Sequence, residues 1–216
     1  MQRTLSLGWI ALYLIAVPAI LTAPGYAASV ERIRNHKAVV TEVTLAPGET
    51  ISLPDKRPAM LVYLTGNAAE MLTNDGKVRK ESVKRGDTVF QPAEESSIKN
   101  DGASTLSFVR VEFLTAGNPE TWGRTGLAPN YKVLLENRYG RAYDIKITAQ
   151  KFEPQHSHHD RVVICLSGAQ LEHILPNGEK QPSTLKTGDI AWRLAATHIG
   201  HNMGHTNLWV IAVEPK

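Results

Sequence analysis

The chain has a single cysteine, Cys165, in 216 residues, so no internal disulfide can brace it and each folded unit must hold by its own core. Aromatic residues make up only 6%, and 24 Lys and Arg stand against 21 Asp and Glu, a net charge of +3. No basic stripe interleaved with aromatics is present, which argues against a nucleic-acid partner. No amphipathic helix of useful length can be traced. The one long apolar run, residues 7–21, is cut by Pro18 and falls short of the roughly 18 unbroken residues that a membrane span needs. Histidine is nearly missing from the first half: seven of eight lie at or beyond residue 156.

That early apolar run has the setting of a secretory signal peptide. Arg3 supplies a positive start, and Gly25-Tyr26-Ala27 closes the segment with small residues before Ala28. Cleavage after Ala27 predicts a periplasmic or secreted protein with no membrane attachment once the signal is removed; a retained anchor is the competing reading. Residues 1–27 are therefore set apart from the fold. The remainder is long enough for one large or two small domains, and 42% hydrophobic content suffices for a core.

A repeat decides for two. Moving residues 35–112 forward by 102 superimposes Asn35 on Asn137, Gly66 on Gly168, Gly76 on Gly178, Gly86-Asp87 on Gly188-Asp189, Asn100 on Asn202 and Val111-Glu112 on Val213-Glu214. Gly and Asn at fixed intervals mark turns that a backbone must make. Within each copy, short apolar runs alternate with such turns, the spacing of an all-β sandwich or barrel. Asn74-Asp75-Gly76 and Pro176-Asn177-Gly178 are hairpin signals, and residues 106–113 and 208–213 are rich in β-formers. The expected organisation is a first barrel over 28–115, a second over 133–216, and between them residues 116–132, crowded with turn formers, as a linker or a loop over one barrel mouth.

Only the second copy carries a candidate site. On a strand, His156 and His158 point to one face with Cα atoms about 7 Å apart, close enough for two imidazoles to converge on one ion. His198 follows a Gly-Asp turn and a strand, where a neighbouring strand would return it to the same interior. Neutral imidazole is a common ligand for transition metals, and three of them leave positions open for water or substrate. The bland alternative is a solvated His-rich loop over residues 155–160. At the equivalent positions the first copy has Pro54, Lys56 and Ser96, which as a set bind no metal.

Pro154-Gln155-His156-Ser157-His158 through Gly168, then Gly188-Asp189 and Thr197-His198-Ile199-Gly200-His201-Asn202, resemble the two sequence motifs of the cupin superfamily, and the mature chain resembles a bicupin. The resemblance implies two tandem double-stranded β-helix barrels, with ligands in the second alone. It also marks departures. Arg161 stands where the family has a metal-binding Glu, Leu194 where the second motif has Pro, and Gln150 where the first has its leading Gly. Asp160 would replace the missing carboxylate only if the strand began irregularly. Three histidines without a carboxylate resemble the thiol dioxygenases of the superfamily, in which an Arg binds the substrate carboxylate.

The resemblance thus implies a divalent metal, Fe, Mn, Ni or Zn, on His156, His158 and His198. The ligand is expected to be a small anionic molecule held by Arg161 through its planar fork, in an oxygenase or isomerase type of reaction. A salt bridge from Arg161 to Asp160 or Glu172 is the alternative. Alternation places Val163 and Cys165 on the same face as Arg161, so Cys165 either lines the pocket or packs as a small hydrophobe. Trp192 is read as core or as part of the mouth. His159, His201 and His205 are assigned to the surface, and no carboxylate is placed in the pocket as a general base. Capture of a small ligand or metal without turnover, with the first barrel lending stability or homodimer contacts, is the other function class considered.

Overall fold

The computed structural model describes residues 27–53, 57–73, 75–117 and 127–216. Most of the expected signal peptide, Pro54, Lys56 and part of the expected linker lie outside the described residues. All regular structure among those described is β. The first nine strands are β1 (Ala28–Arg34), β2 (Ala38–Leu45), β3 (Thr50–Ser52), β4 (Ala59–Tyr63), β5 (Asn67–Thr73), β6 (Val78–Val83), β7 (Thr88–Gln91), β8 (Glu95–Asn100) and β9 (Leu106–Phe113). The second nine are β10 (Lys132–Glu136), β11 (Gly140–Ile147), β12 (Phe152–His158), β13 (Arg161–Ser167), β14 (Ala169–Ile174), β15 (Lys180–Leu185), β16 (Ile190–Arg193), β17 (Ala196–Asn202) and β18 (Leu208–Pro215).

The duplication holds at the level of topology. A five-stranded sheet β1-β2-β9-β4-β7 faces a four-stranded sheet β3-β8-β5-β6 in the first copy, and β10-β11-β18-β13-β16 faces β12-β17-β14-β15 in the second. Raising each strand number by nine turns one arrangement into the other. Central strands β4 and β9 are almost wholly buried, which is why they read as apolar runs instead of alternating. Edge strand β6, Val-Arg-Lys-Glu-Ser-Val, carries the charges that keep an edge from pairing with another chain.

Alternation along the five-stranded sheets divides the apolar residues between two cores. Leu61 and Tyr63 of β4 point into the first barrel, and Val163 and Cys165 of β13 into the second. Met60 and Val62, with Val162, Ile164 and Leu166, point the other way and meet in one cluster that includes Val109, Val111, Phe113, Ile211 and Val213. The two five-stranded sheets therefore pack on each other, and the barrels face one another within one chain.

The repeated turn residues do the same work in both copies. Asn100 Nδ2 donates to the carbonyls of Leu45 at 2.9 Å and Ser104 at 2.8 Å, and Gly102 N donates to its Oδ1 at 3.1 Å. Asn202 repeats this with Ile147 at 3.0 Å, Thr206 at 2.8 Å and Gly204 N at 3.0 Å. Asp87 and Asp189 each accept a backbone N–H three residues back, from Lys84 and Lys186, both at 2.7 Å. Gln150 takes the left-handed conformation, φ 61°, that Gly48 takes at φ 80° in the first copy. Its amide donates to the carbonyls of Met203 at 2.6 Å and Gly204 at 2.8 Å, which helps to offset the strain of the missing Gly.

Because each Asn satisfies three backbone groups, Asn100→Ala and Asn202→Ala should each destabilise by about 2 kcal/mol or more in denaturant unfolding. A loss below about 0.5 kcal/mol in either would contradict the account of these turns.

Candidate metal centre

The second barrel is hollow where the first is filled. Tyr63, Met71, Ile98 and Phe108 are fully buried in the first barrel, with the Tyr63 and Phe108 rings 5.8 Å apart. The equivalent positions of the second hold Cys165, His173, Gly200 and Val210, three of them much smaller. A cavity of about 70 Å³ results, room for a small molecule or a few waters. Apolar Ile145, Val163, Leu171 and Val210 line it, together with Glu153, His158, His173, His198, Arg161 and Arg193.

His156, His158 and His198 converge beside this space. All three are buried, and one ring nitrogen of each lies within 4.8 Å of the others. The register of β12 on β17 does this: His156 pairs directly with His198, and His158 is two residues along on the same face. His156 Nδ1 is 2.8 Å from the Pro154 carbonyl, which only accepts, so that nitrogen carries the hydrogen. His158 Nδ1 is 2.8 Å from the Tyr143 hydroxyl, whose own hydrogen goes to Glu214 Oε1 at 2.9 Å. The His158 hydrogen is therefore also on Nδ1. Glu214 is held in turn by Arg141 at 2.6 Å and by the His159 backbone N–H at 3.1 Å.

Both Nε2 atoms present lone pairs, and they face each other at 2.9 Å, with the Tyr131 hydroxyl 3.1 Å from that of His156. Without a proton or a cation between them this contact is repulsive. A proton is disfavoured, because burial first, then the Arg161 charge, holds His158 far below the ordinary imidazole range. Burial, followed by the neighbouring His173 and His156, pushes His198 down to about 3, and burial lowers His156 as well. A metal fits instead: at metal–nitrogen distances of about 2.1 Å, two nitrogens bound at right angles stand about 3 Å apart. The donor set suits Fe, Mn, Ni or Zn.

Arg161 is 8% exposed and lines the cavity. Neither expected salt-bridge partner takes it: Asp160 pairs with Lys37 of the first barrel at 3.1 Å, and Glu172 with Lys180 at 3.1 Å. Its Nη1 instead reaches the carbonyls of His159 at 3.4 Å and Leu194 at 3.3 Å, and its Nε has no partner. Arg193 pairs with Arg161 across β13 and β16 and brings a second guanidinium to the cavity wall. Asp160 also accepts the Ala195 N–H at 2.8 Å, and it is not among the cavity residues.

Two candidates stand apart from this space. Cys165 does face the barrel interior, but it packs in the core with Tyr143, Ala169 and Val210 and does not line the cavity. Trp192 pairs with Val162, so parity turns it outward onto the cluster between the barrels rather than to the mouth. Among the other histidines, His205 is exposed and His201 stacks on Phe152 with ring centroids 3.7 Å apart.

Three residues that alternation did not bring forward are present. Tyr131, near the end of the inter-barrel segment, puts its hydroxyl 3.1 Å from His156 Nε2 and stacks on Tyr143 and His158. His173 lies with its ring 4.5 Å from that of His198. Glu153 corrects the expectation that no carboxylate enters the pocket: it is 4% exposed, with Oε1 3.6 Å from His156 Nε2. Burial raises its carboxyl to about 7, opposed by the Tyr131 hydrogen bond and the Arg161 charge. Pro154, a residue that interrupts strand pairing, is the sequence signal that could have pointed to it.

These features define an all-β protein of two cupin-type barrels with a three-histidine cluster in the C-terminal one. The sequence matches no protein-family model and no curated protein. In three dimensions it is similar to the Cupin 2 conserved barrel domain protein from Leptotrichia buccalis, at 14% identity over 91% of this chain and 92% of the other, TM-score 0.58. It is also similar to AerE from Microcystis aeruginosa, at 13% identity over 88% and 97%, TM-score 0.63. Oxalate decarboxylase from Bacillus subtilis matches at 12% identity over 90% and 72%, TM-score 0.63. The chain therefore has the bicupin fold, and its histidine cluster is suited to a divalent metal.

Burial pushes the Cys165 thiol up to about 11, leaving about one thiol in a thousand ionised at pH 8. Cys165 should be inert to a disulfide-exchange reagent in the native protein and titrate as one thiol per chain on unfolding; fast native reaction would place it at an accessible surface.

Proposed function

We propose that the chain is an exported bicupin that binds one divalent metal on His156, His158 and His198 and acts there on a small anionic molecule, in an oxygenase or isomerase type of reaction. The observation that carries this reading is the pair of Nε2 lone pairs 2.9 Å apart beside a cavity walled by two arginines. Export is supported by the order of charge, apolar run and small residues before Ala28, where β1 begins.

When bound, the metal supplies Lewis acidity and, if it is iron, chemistry with oxygen. The chain's own residues select and hold the ligand. Arg161 is fixed by two backbone carbonyls with its Nε still free to donate, so it offers an anion a directed hydrogen bond as well as charge. Arg193 adds a second positive group. The apolar wall of Ile145, Val163, Leu171 and Val210 excludes water, which strengthens those contacts. With about 70 Å³ available, the space favours a compact ligand over an extended one.

Metal analysis of the protein purified from residue 28 should return about one transition metal per chain, lost in a His156→Ala/His158→Ala double variant. Absence of metal from the parent protein, even after incubation with Fe(II), Mn(II), Ni(II) and Zn(II), sinks the proposal. Arg161→Gln should keep the metal yet weaken binding of formate, acetate or oxalate to the loaded protein by roughly tenfold or more, followed by calorimetry. Unchanged affinity would remove Arg161 from ligand binding. Anion binding with no turnover of any small carboxylate under oxygen would assign the site to capture rather than catalysis.

A further inference from the structure

We infer that Glu153 is a fourth protein ligand of this centre, a carboxylate delivered from the N-terminal side of the histidine pair to replace the one lost at Arg161. The inference rests on the metal reading above and deepens it.

Glu153 lies three residues before His156, so simple alternation would put the two side chains on opposite faces of β12. A bulge changes this. Glu153 pairs with Gly200 and His156 with His198, so Pro154 and Gln155 together face the single residue Ile199. The extra residue reverses the parity, and positions 153, 156 and 158 are all buried while 154 and 155 are exposed. β12 is the edge of its sheet, where a proline in the strand is tolerated.

The facing position is made to receive the side chain. Any residue with a Cβ at Gly200 would collide with the Glu153 carboxylate, and the first copy has Ile98 there. Oε1 then sits 3.6 Å from His156 Nε2, a nitrogen of the metal cluster. Oε2 is buried and has no hydrogen-bond partner. A carboxylate oxygen is not left bare in an apolar interior without cost, and a cation shared with the imidazoles would satisfy it. The same carboxylate reduces the positive charge that Arg161 and a divalent ion would otherwise place together.

The test uses Co(II) and Mn(II) binding to the full mature chain, with Glu153→Gln, Glu153→Asp and His156→Ala variants. Affinity is measured by competition with a chelator, and the Co(II) visible spectrum reports the donor set. Ligation predicts that Glu153→Gln weakens both metals by at least about tenfold, shifts the Co(II) bands, and shrinks the rise in Tm on metal addition. It also predicts partial recovery in Glu153→Asp. Similar far-UV circular dichroism and metal-free melting would show that the variants fold. Affinity within twofold of the parent and an unchanged Co(II) spectrum in Glu153→Gln, while His156→Ala loses the metal, would overturn this inference and leave the three-histidine proposal standing. Failure of the parent to bind either metal would overturn both.

Discussion

The site depends on where two hydrogen atoms sit. The Pro154 carbonyl fixes one on His156 Nδ1, and the Tyr143 hydroxyl, committed to Glu214, fixes the other on His158 Nδ1. Each ring thereby presents its Nε2 lone pair to the same point, and burial removes protonation as an escape. The buried Arg141–Glu214 pair holds this orientation from outside the cavity, the usual arrangement by which outer groups set the tautomer of a liganding imidazole. Strand register, bulge and side-chain size in this barrel are consistent with that single convergence.

Duplication explains how such a site is built on a stable frame. Both copies share strand order, turns and the Asn and Asp bonds that fix them. They differ in what fills the interior. Large side chains close the first barrel, and smaller or polar ones open the second around His173, Gly200 and Arg161. The shared apolar cluster between the five-stranded sheets joins the filled barrel to the hollow one.

Much of this was legible in the sequence because its carriers are local. A displacement of 102 residues maps β2 onto β11, β6 onto β15 and β9 onto β18 end to end, since turn residues and apolar runs record backbone demands directly. The convergence of His156 with His158 follows from alternation alone, and that with His198 from a single strand pairing. What was missed depends on events that alternation does not encode. Glu153 turns inward only through the bulge at Pro154, and Tyr131 arrives from outside the barrel strands. For Trp192 the sequence leaves core or mouth open; its register with Val162, a tertiary fact, decides for the core between the barrels. For Cys165 alternation gives the face and leaves both core packing and cavity lining open; its depth in the core decides for packing.

The central claim is that the three imidazoles share one ion, two of them through nitrogens whose lone pairs the fold has aimed. X-ray absorption spectroscopy of the protein loaded with a single equivalent of Mn(II), Fe(II) or Zn(II) tests it most directly, because imidazole rings leave a distinctive outer-shell scattering pattern. The account predicts about three imidazole nitrogens at roughly 2.0–2.2 Å. A first shell of oxygen alone, without imidazole scattering, would contradict it.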